Sequence, residues 1–342
     1  MFQVYATTPE TMGPEDIVKH AQRAEAMGYD GLNVPDAVHD GLLLAALALN
    51  ATTTLKVGIG VLVAFPRSPM SVAIAAWDLQ RMSKGRFELG LGTQIKPNIE
   101  KRYSVPWTSP VKRMREYIGS LRAIFNSFQS GEPLKYVSEN YQFTKLQPFF
   151  NPGPIEHPEM PIFMGSVGPM MTALAGEVSD GMITHPTNTP PRYIREVALP
   201  RLQKGIDKAG RSSDEVKLIL SSLVATGKDH KTLVSEREKQ RGLLGFLYST
   251  PAYWPSLELF GWQDRGEQLL QMTREGAWQA MVKIIDDEML DTFVPSATYD
   301  EIADVLLERF DGLSTMINFP VPDDPDDDLA VAKIIERLRF AD

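Results

Sequence analysis

The stretch that decides the fold is KVGIGVLVAFPRSPMSVAIAAWDLQRMSKGRFELGL, residues 56–91. It begins with a β-branched run over residues 56–63 and ends with a second run over 87–91. Between them, Ser68 and Pro69 are typical of a helix N-cap and first helical position, and the helical pattern continues to about Met82. Strand, helix and strand in this order indicate a parallel sheet, because two parallel strands need a crossover connection.

The same alternation continues along the whole chain. We predict eight strands, near residues 3–6, 31–34, 56–63, 87–91, 161–165, 181–185, 217–225 and 315–319. Gly28 closes a helix that follows Pro14, and Thr298 with Glu301 predicts a capping box. Eight strand–helix units favour an α/β fold of the (β/α)8 TIM-barrel type, with a doubly wound sheet as the alternative. We expect one domain over residues 1–342.

Two long insertions interrupt the alternation, at residues 93–160 and 226–297. The first contains a helix over about 111–128 and a hairpin in LKYVSENYQF, and the second is helical and carries Trp254, Trp262 and Trp278. In a barrel they would follow the fourth and seventh strands, on the face where βα loops build the active site. Trp107, Trp254 and Trp262 then suggest an apolar pocket.

The composition excludes several functional classes. The 342 residues carry a net charge of −9, which opposes non-specific nucleic-acid binding. The absence of cysteine removes disulfides, thiol nucleophiles and thiolate metal sites. The N-terminus lacks the pattern of a signal peptide, and the longest apolar run, residues 42–49, is too short for a bilayer. We expect a cytoplasmic protein that acts on small molecules, without nucleic-acid or membrane partners.

Two glycine-containing turns follow predicted strands. RFELGLGTQ places Gly90 and Gly92 at a strand end, but Ile95 stands where a third glycine would complete a dinucleotide fingerprint. GSVGPMM has Gly165 and Gly168 around a tight turn, with Pro169 at the first helical position. The free amides at such a helix start hold phosphates or carboxylates in many proteins. An ordinary strand-to-helix turn explains the same residues.

The five histidines show no metal-ligand spacing, so we predict no metal site. His39, just past the second strand, and His185, at the end of the sixth, fall at the mouth of a barrel. A functional and a structural role are both open for them. Asp36 and Asp40 share the second-strand terminus with His39 and form a candidate acid/base cluster.

The first insertion begins with a basic segment on an otherwise acidic protein. Its cations are Lys96, Lys101, Arg102, Lys112, Arg113 and Arg115. Such a segment is typical of a landing site for an anionic cofactor tail, and equally of a solvated loop.

Four stretches together resemble the luciferase-like monooxygenase superfamily, in particular its coenzyme F420 (deazaflavin)-dependent branch in mycobacteria and other actinobacteria. They are VGIGVLVAFPRSPM, AAWDLQRMSKGRFELGLGTQIKPNIEKRY, FFNPGPIEHPEMP and VGPMMTALAGEVSDGMITHP. The resemblance covers nearly the whole chain. It implies a (β/α)8 barrel that binds a flavin-type cofactor, and a homodimer, since relatives often form dimers.

The resemblance also implies roles for particular residues. It places a non-prolyl cis peptide at Gly60–Val61, in a bulge that backs the cofactor ring. Gly92, Thr93 and Asn98 match the loop that lines the ring and its side chain, and Gly165, Ser166, Val167 and Gly168 match the phosphate-binding turn. His185 matches a polar position near the phosphate or ribityl chain, and Asp36 matches an acidic position beside the ring.

Three positions depart from the pattern of relatives. Ala37 stands where sugar-phosphate dehydrogenase relatives have a histidine, Ile95 where relatives have an acid, and Asn188 where they have a phosphate-binding lysine. These departures prevent the transfer of a particular substrate and leave flavin mononucleotide (FMN) as an alternative cofactor.

The sequence therefore supports three functional hypotheses. The first is an oxidoreductase that moves a hydride between F420 and a carbonyl, alcohol or activated alkene. His39 or Asp36 would provide the proton, with His39 preferred because histidine titrates near neutral pH. The second is an FMN-dependent monooxygenase that receives reduced flavin from a partner reductase. The third is a non-catalytic flavin-binding protein.

Overall fold

The computed structural model describes residues 1–340, and its central feature is a closed barrel of parallel strands. The strands are β1 Gln3–Thr7, β2 Gly31–Val34, β3 Lys56–Ile59, β4 Leu62–Val63, β5 Phe87–Gly92, β6 Tyr136–Val137, β7 Gln142–Phe143, β8 Ile162–Gly165, β9 Gly181–Ile183, β10 Lys217–Leu220, β11 Ala225–Gly227, β12 Ser296–Thr298 and β13 Met316–Pro320. Pairing runs β3-β2-β1-β13-β10-β9-β8-β5, and β3 also pairs with β5. This last pairing closes the sheet, which confirms the (β/α)8 prediction and overturns the doubly wound alternative.

The third barrel strand is interrupted at the mouth of the barrel. The sequence predicts one strand over residues 56–63, but the cis peptide Gly60–Val61 separates β3 from β4. The first part pairs with the beginning of β5, and the second with its end, where Val63 lies opposite Gly92. The predicted cis peptide is therefore confirmed. It lies in a bulge next to the C-terminal end of β5.

Helices surround the barrel, as the alternation predicts. They are α1 Ile17–Ala26, α2 Gly41–Ala51, α3 Pro69–Ser83, α4 Lys96–Lys101, α5 Pro110–Ser130, α6 Pro169–Val178, α7 Pro191–Tyr193, α8 Leu199–Ala209, α9 His230–Tyr248, α10 Trp254–Phe260, α11 Gln263–Glu275, α12 Asp287–Phe293, α13 Ile302–Phe310 and α14 Asp328–Phe340. Ser68 caps α3 by accepting from the Met70 N–H, and Pro69 and Pro169 each begin a helix as predicted. Gly28 follows α1 with φ +85°, a conformation that favours glycine.

Both insertions lie after the strands that the sequence indicates. The first contains α4, α5 and the antiparallel β6–β7 hairpin. The second contains α9 to α12 and has its own apolar core, in which Trp262 packs with Leu244, Tyr248 and Phe293. Trp254 packs at the edge of the same core and donates its indole N–H to the Tyr248 carbonyl. The expectation that Trp254 and Trp262 mark an apolar ligand pocket is therefore wrong, because both stabilise the insertion itself.

Two local predictions in this region are wrong. The predicted strand 217–225 is two strands: β10 ends at Leu220, and β11 leaves the barrel to pair with β12 in a separate two-stranded sheet. The predicted capping box at Thr298 and Glu301 is not formed, since Glu301 itself occupies the cap position of α13. Thr298 belongs to β12, opposite Gly227, and its hydroxyl contacts the Glu301 carboxylate instead.

The interior of the barrel is filled unequally. Tyr5, Phe163, Ile219 and Met316 form an apolar cluster across the barrel, and the Tyr5 hydroxyl donates to the buried Glu88 carboxylate, 3.1 Å away. Towards the mouth, the third to fifth barrel strands carry glycine at five inward positions, namely Gly58, Gly60, Gly90, Gly92 and Gly165. These glycines allow close approach of neighbouring groups, because a Cβ atom at Gly90 would lie 2.0 Å from the Ile59 carbonyl oxygen and those at Gly92 and Gly165 would meet Val61.

Candidate functional site

Val61, at the cis peptide, contacts the ends of two neighbouring strands. A Cβ atom at Gly92 would lie 2.3 Å from Val61 Cγ2, and one at Gly165 would lie 2.9 Å from Val61 Cγ1. Only glycine at both positions allows the Val61 side chain to lie where it does. Three residues that the sequence assigns to a cofactor site are thus brought together at the barrel mouth, with Gly60 exposed beside them.

Asp36 holds this bulge in place. Its carboxylate accepts the backbone N–H of Val63 at 2.9 Å and of Gly41 at 3.0 Å, and it is nearly buried. Arg67 donates to Asp36 at 3.1 Å and to Asp40 at 3.0 Å. Burial lowers the pKa of Arg67, but its two ion pairs outweigh burial and the net shift is upward. The two carboxylates of the candidate acid/base cluster therefore both bind Arg67, and both oxygens of Asp36 accept hydrogen bonds.

His39 lies on the same loop and is differently placed. It is half-buried, and its imidazole makes no hydrogen bond to any residue within 1–340. Its ring nitrogens are consequently available to a ligand, whereas the Asp36 oxygens are not. The catalytic role of either residue stays a prediction.

The turn between β8 and α6 offers unpaired backbone donors. Gly168 caps α6, whose first hydrogen bond runs from the Thr172 N–H to the Gly168 carbonyl, so the N–H groups of Met170 and Met171 lie ahead of the helical ladder. The α6 first turn carries no acidic residue. The Ser166 hydroxyl is buried and has no hydrogen-bond partner in the part of the chain described here. These donors and the positive end of the helix dipole suit a phosphate.

His185 lies next to this turn. The Asn188 side chain donates to the Ser166 carbonyl at 3.4 Å and accepts from the His185 N–H at 2.7 Å, which joins the two segments. The His185 ring stacks on Tyr253 of the second insertion, with centroids 4.1 Å apart and an interplanar angle of 12°. Burial lowers the pKa of His185 to about 4, so the imidazole is neutral at neutral pH.

The loop after β5 is held mainly by local contacts. Asn98, in α4, donates to the Gln94 side chain at 3.1 Å, and the Thr93 hydroxyl donates to the Gln94 carbonyl. Thr93 and Asn98 remain half-buried at the mouth, next to Gly92. Their predicted role in lining a cofactor stays a prediction.

The basic segment divides into two halves. Lys112 pairs with Glu139, Arg115 pairs with Glu177, and Arg113 donates to the carbonyls of Phe65 and Pro106 while lying over the Phe65 ring. The other half, Lys96, Lys101 and Arg102, is exposed. Lys96 lies 3.8 Å from Glu100, and Arg102 donates to the Ala37 carbonyl. Lys101 and Arg102 form no ion pair within residues 1–340, so their charge is available to an anionic ligand.

Two cavities lie away from the mouth. One, of about 400 Å³, opens at the beginnings of β8 and β10, and the other, of about 540 Å³, lies between α5 and α6. Both include Arg122, Asp180 and Glu215, the second also includes Arg115 of the basic segment, and neither includes a residue of the barrel mouth. They belong to the barrel end that serves stability rather than catalysis.

Sequence reasoning missed several polar residues of the site. No local pattern indicates Arg67, because its partners Asp36 and Asp40 precede it by 31 and 27 positions. Asn33, Ser221 and Asn318 form a hydrogen-bonded chain inside the barrel. The available signal was a polar residue within an apolar strand, as in GLNV and MINFP.

Residues 1–340 contain neither a cluster of metal ligands nor a membrane-spanning helix. Within 1–340 no group of three or more histidine, aspartate or glutamate side chains is arranged to hold a metal ion. No helix in that range combines the length and apolarity needed to cross a bilayer.

Comparison with known proteins gives a consistent result. A sequence model of the family described as luciferase-like monooxygenase matches residues 2–315. An uncharacterised protein of Mycobacterium tuberculosis is 41% identical over 303 residues, which covers 88% of this chain and 89% of that protein. The 5,10-methylenetetrahydromethanopterin reductase of Archaeoglobus fulgidus is 30% identical over 304 residues, covering 86% of this chain and 85% of that enzyme.

Solved structures share the fold over their full length. The coenzyme F420-dependent tetrahydromethanopterin reductase of Methanopyrus kandleri has a TM-score of 0.82 at 21% identity, covering 98% of this chain and 97% of that one. An F420-dependent secondary alcohol dehydrogenase, in complex with an F420–acetone adduct, has a TM-score of 0.76 at 18% identity, with 99% of both chains covered. The EDTA monooxygenase of Chelativorans sp. BNC1 has a TM-score of 0.74 at 14% identity, covering 99% and 93%.

Proposed function

The chain belongs to the luciferase-like monooxygenase family, and from that premise we propose that it is an oxidoreductase dependent on coenzyme F420. Its reaction transfers a hydride between the cofactor and a small carbonyl compound, alcohol or activated alkene. The observation that carries the proposal is the close packing at the barrel mouth, where the Val61 side chain lies against the backbone of Gly92 and Gly165. A flat ring needs such a surface, because it packs by close approach to backbone.

The residues at the mouth fit both ends of the cofactor. Gly60 and Val61 would lie behind the ring, and Gly92, Thr93 and Asn98 beside it. The Gly165–Gly168 turn, with the N–H groups of Met170 and Met171 and the Ser166 hydroxyl, would hold the phosphate, and the neutral His185 would lie nearby. When bound, a deazaflavin supplies the carbon that accepts or donates the hydride.

Transfer of the proton that accompanies the hydride would fall to the side chains of this protein. In the oxidation of an alcohol, a bound deazaflavin would take the hydride from the substrate carbon, and the hydroxyl proton would have to leave as well. We assign that proton to a ring nitrogen of His39, which has no hydrogen-bond partner within 1–340, and we assign Asp36 to the support of the bulge. Reduction of a carbonyl returns the proton from His39.

Several relatives support the choice of F420 as the cofactor. The family members at 30% identity include a methylenetetrahydromethanopterin reductase, and two structures with the same fold are described as F420-dependent. F420 also carries a polyglutamate tail, and the exposed cations Lys96, Lys101 and Arg102 offer charge to it. FMN lacks that tail.

The proposal is tested with a variant that removes this charge. Lys96→Gln/Lys101→Gln/Arg102→Gln should weaken F420 binding about tenfold at low salt and leave FMN binding unchanged. The matched control, Lys19→Gln/Lys204→Gln/Lys333→Gln, removes three exposed cations elsewhere and should bind F420 normally. Equal F420 affinity in both triple variants would show that the basic segment does not bind the F420 tail.

An FMN-dependent monooxygenase is the second candidate, because the β8–α6 turn suits the FMN phosphate equally well. Family neighbours with this fold include the EDTA monooxygenase. It requires reduced flavin from a partner reductase and consumes oxygen. A substrate screen in two arms, anaerobic with F420 and aerobic with reduced FMN, separates the two candidates. Activity in neither arm would favour the non-catalytic flavin-binding protein.

We also propose that the protein is a homodimer and that it acts on a small molecule in the cytoplasm. Light scattering tests the oligomeric state, and cell fractionation tests the location.

A further inference from the structure

The second insertion contacts the barrel just after β9. The Tyr248 hydroxyl of α9 donates to the Thr187 carbonyl at 3.0 Å. Ser256 Oγ lies 3.0 Å from that hydroxyl and 3.1 Å from the Tyr253 carbonyl oxygen. Thr187, Tyr248 and Ser256 are all buried. These contacts fix the backbone of Tyr253 relative to the barrel segment that carries His185.

The ring of Tyr253 covers one face of the His185 imidazole. The two ring centroids are 4.1 Å apart, and the ring planes differ by 12°. The Tyr253 hydroxyl forms no hydrogen bond within residues 1–340, so the contact with the histidine is made by the ring alone. A stacked pair of this kind restricts rotation of the imidazole and leaves the edge of the imidazole free.

The edge of the imidazole has one bonded nitrogen and one free nitrogen. His185 Nδ1 accepts from the Thr187 backbone N–H at 3.4 Å and lies 2.8 Å from Thr187 Oγ1. Because a backbone N–H can only donate, Nδ1 carries no proton, and the proton of the neutral imidazole is on Nε2. Nε2 makes no hydrogen bond within 1–340, and it is not one of the fully buried atoms that lack a partner. A ligand can therefore reach this N–H donor.

The free donor lies on a segment that is joined to the β8–α6 turn. The Asn188 side chain accepts from the His185 backbone N–H at 2.7 Å and donates to the Ser166 carbonyl at 3.4 Å. The Ser166 hydroxyl is buried and has no partner within the described residues. Two side-chain donors without protein acceptors thus lie on two adjoining segments, and donors of this kind suit the oxygens of a phosphate.

We propose that Tyr253 is a positioning residue, whose ring holds the imidazole of His185 so that the Nε2–H donates to a phosphate bound at the β8–α6 turn. This inference rests on the proposed function, because that function supplies the phosphate. It gives the second insertion a part in ligand binding that its own apolar core does not explain.

Three variants separate positioning from packing. Tyr253→Leu removes the stacked ring and keeps an apolar side chain, whereas Tyr253→Phe removes only the unbonded hydroxyl and should behave as the wild type. The matched control is Phe260→Leu, which removes a different stack of the same insertion, on Trp262, with centroids 5.2 Å apart and an interplanar angle of 21°. Thermal unfolding checks that each variant is folded.

The first measurement reads the ring nitrogens of His185 by ¹⁵N NMR of the free protein, which needs no cofactor. The wild type, Tyr253→Phe and Phe260→Leu should show the proton on Nε2, and Tyr253→Leu should show a mixture of the two tautomers. A proton on Nδ1 in the wild type would overturn the inference even if Tyr253→Leu did not fold. An unchanged spectrum in Tyr253→Leu would overturn it as well.

The second measurement titrates F420, FMN and riboflavin by fluorescence. Tyr253→Leu should lose about tenfold in affinity for F420 and FMN and should bind riboflavin, which has no phosphate, as the wild type does. Tyr253→Phe and Phe260→Leu should bind all three normally. Wild-type affinity for FMN in Tyr253→Leu, or an equal loss of FMN and riboflavin, would contradict the inference.

Failure of the proposed function is recognised separately, since wild-type protein would then bind neither F420 nor FMN. In that case inorganic phosphate is the probe, and the signal of His185 Nε2 is the readout. A phosphate-dependent shift in the wild type and Tyr253→Phe that Tyr253→Leu lacks supports the inference. Any other pattern overturns it.

Discussion

The side chain of Val61 occupies the space that a side chain at position 92 would need, since a Cβ atom on Gly92 would lie 2.3 Å from Val61 Cγ2. Strand β4, which begins at Leu62, pairs with β5 so that Val63 lies opposite Gly92. The bulge at the end of the third barrel strand and the glycine at the end of the fourth therefore depend on each other. Most of the proposed ring site follows from this relationship.

Gly92→Ala should displace Val61 and weaken cofactor binding about tenfold or more, because a methyl group at this distance forces the bulge to move. Titration of the variant with F420 measures the effect. The control is Gly242→Ala in α9, where the nearest atom would be 3.8 Å from the new methyl group. This control should bind normally and gain up to about 1 kcal/mol of stability, as glycine-to-alanine changes in helices do. Normal binding by Gly92→Ala would contradict the assigned ring site.

His39→Ala should lower kcat by about 10²-fold or more and change the cofactor Kd less than twofold, because it removes a proton donor and no binding contact.

Asp36→Asn should instead act mainly on the stability of the protein. It weakens the bonds to Val63, Gly41 and Arg67 and should lower the unfolding free energy by about 1–3 kcal/mol. Steady-state kinetics and denaturant unfolding of the two variants are compared. Unchanged turnover in His39→Ala would remove it from the mechanism.

Met170→Glu places a carboxylate in the first turn of α6, at a side chain that is exposed. The helix dipole should make this variant slightly more stable, while the carboxylate should repel the phosphate and weaken FMN binding about tenfold. Riboflavin, which has no phosphate, serves as the matched ligand and should bind the variant and the wild type equally. A parallel loss of riboflavin and FMN binding would argue against a phosphate site here.

His185 should make stability depend on pH. Its folded pKa is about 4, below the ordinary value of 6.5, because burial disfavours the charged form. The unfolded chain therefore binds a proton first, and the stability that neutral His185 contributes is present above about pH 6.5 and lost as the pH falls towards 4. Between pH 7 and pH 5, wild-type protein should lose about 2 kcal/mol relative to His185→Gln in urea unfolding. A constant difference between the two proteins would contradict the assignment.

Much of the fold is local in the sequence, which is why it could be predicted. Pro69 and Pro169 mark helix starts and Gly28 a helix end, and each acts within a few residues of itself. The failures occur where distant segments compete for the same residues. Ala225 lies only five residues beyond the end of β10, yet it pairs with β12, which begins at Ser296. No local pattern contains that partner.

The candidate site, too, could be predicted only in part from the sequence. The sequence resemblance located Gly60, Val61, Gly92 and the turn at Gly165, and the structure brings these residues together. It did not indicate that Arg67 binds Asp36, nor that Asn33 bonds Asn318 across 285 positions of sequence. Such contacts exist only because the barrel closes, so they are a property of the tertiary structure.

The central claim is that the mouth of this barrel binds F420, and parallel anaerobic titrations of the wild-type protein with F420 and FMN test it most directly. The account predicts saturable binding of F420 with a Kd at least tenfold below that of FMN, and a difference that shrinks as salt screens Lys96, Lys101 and Arg102. Tighter binding of FMN, or no saturable binding of F420, would contradict it.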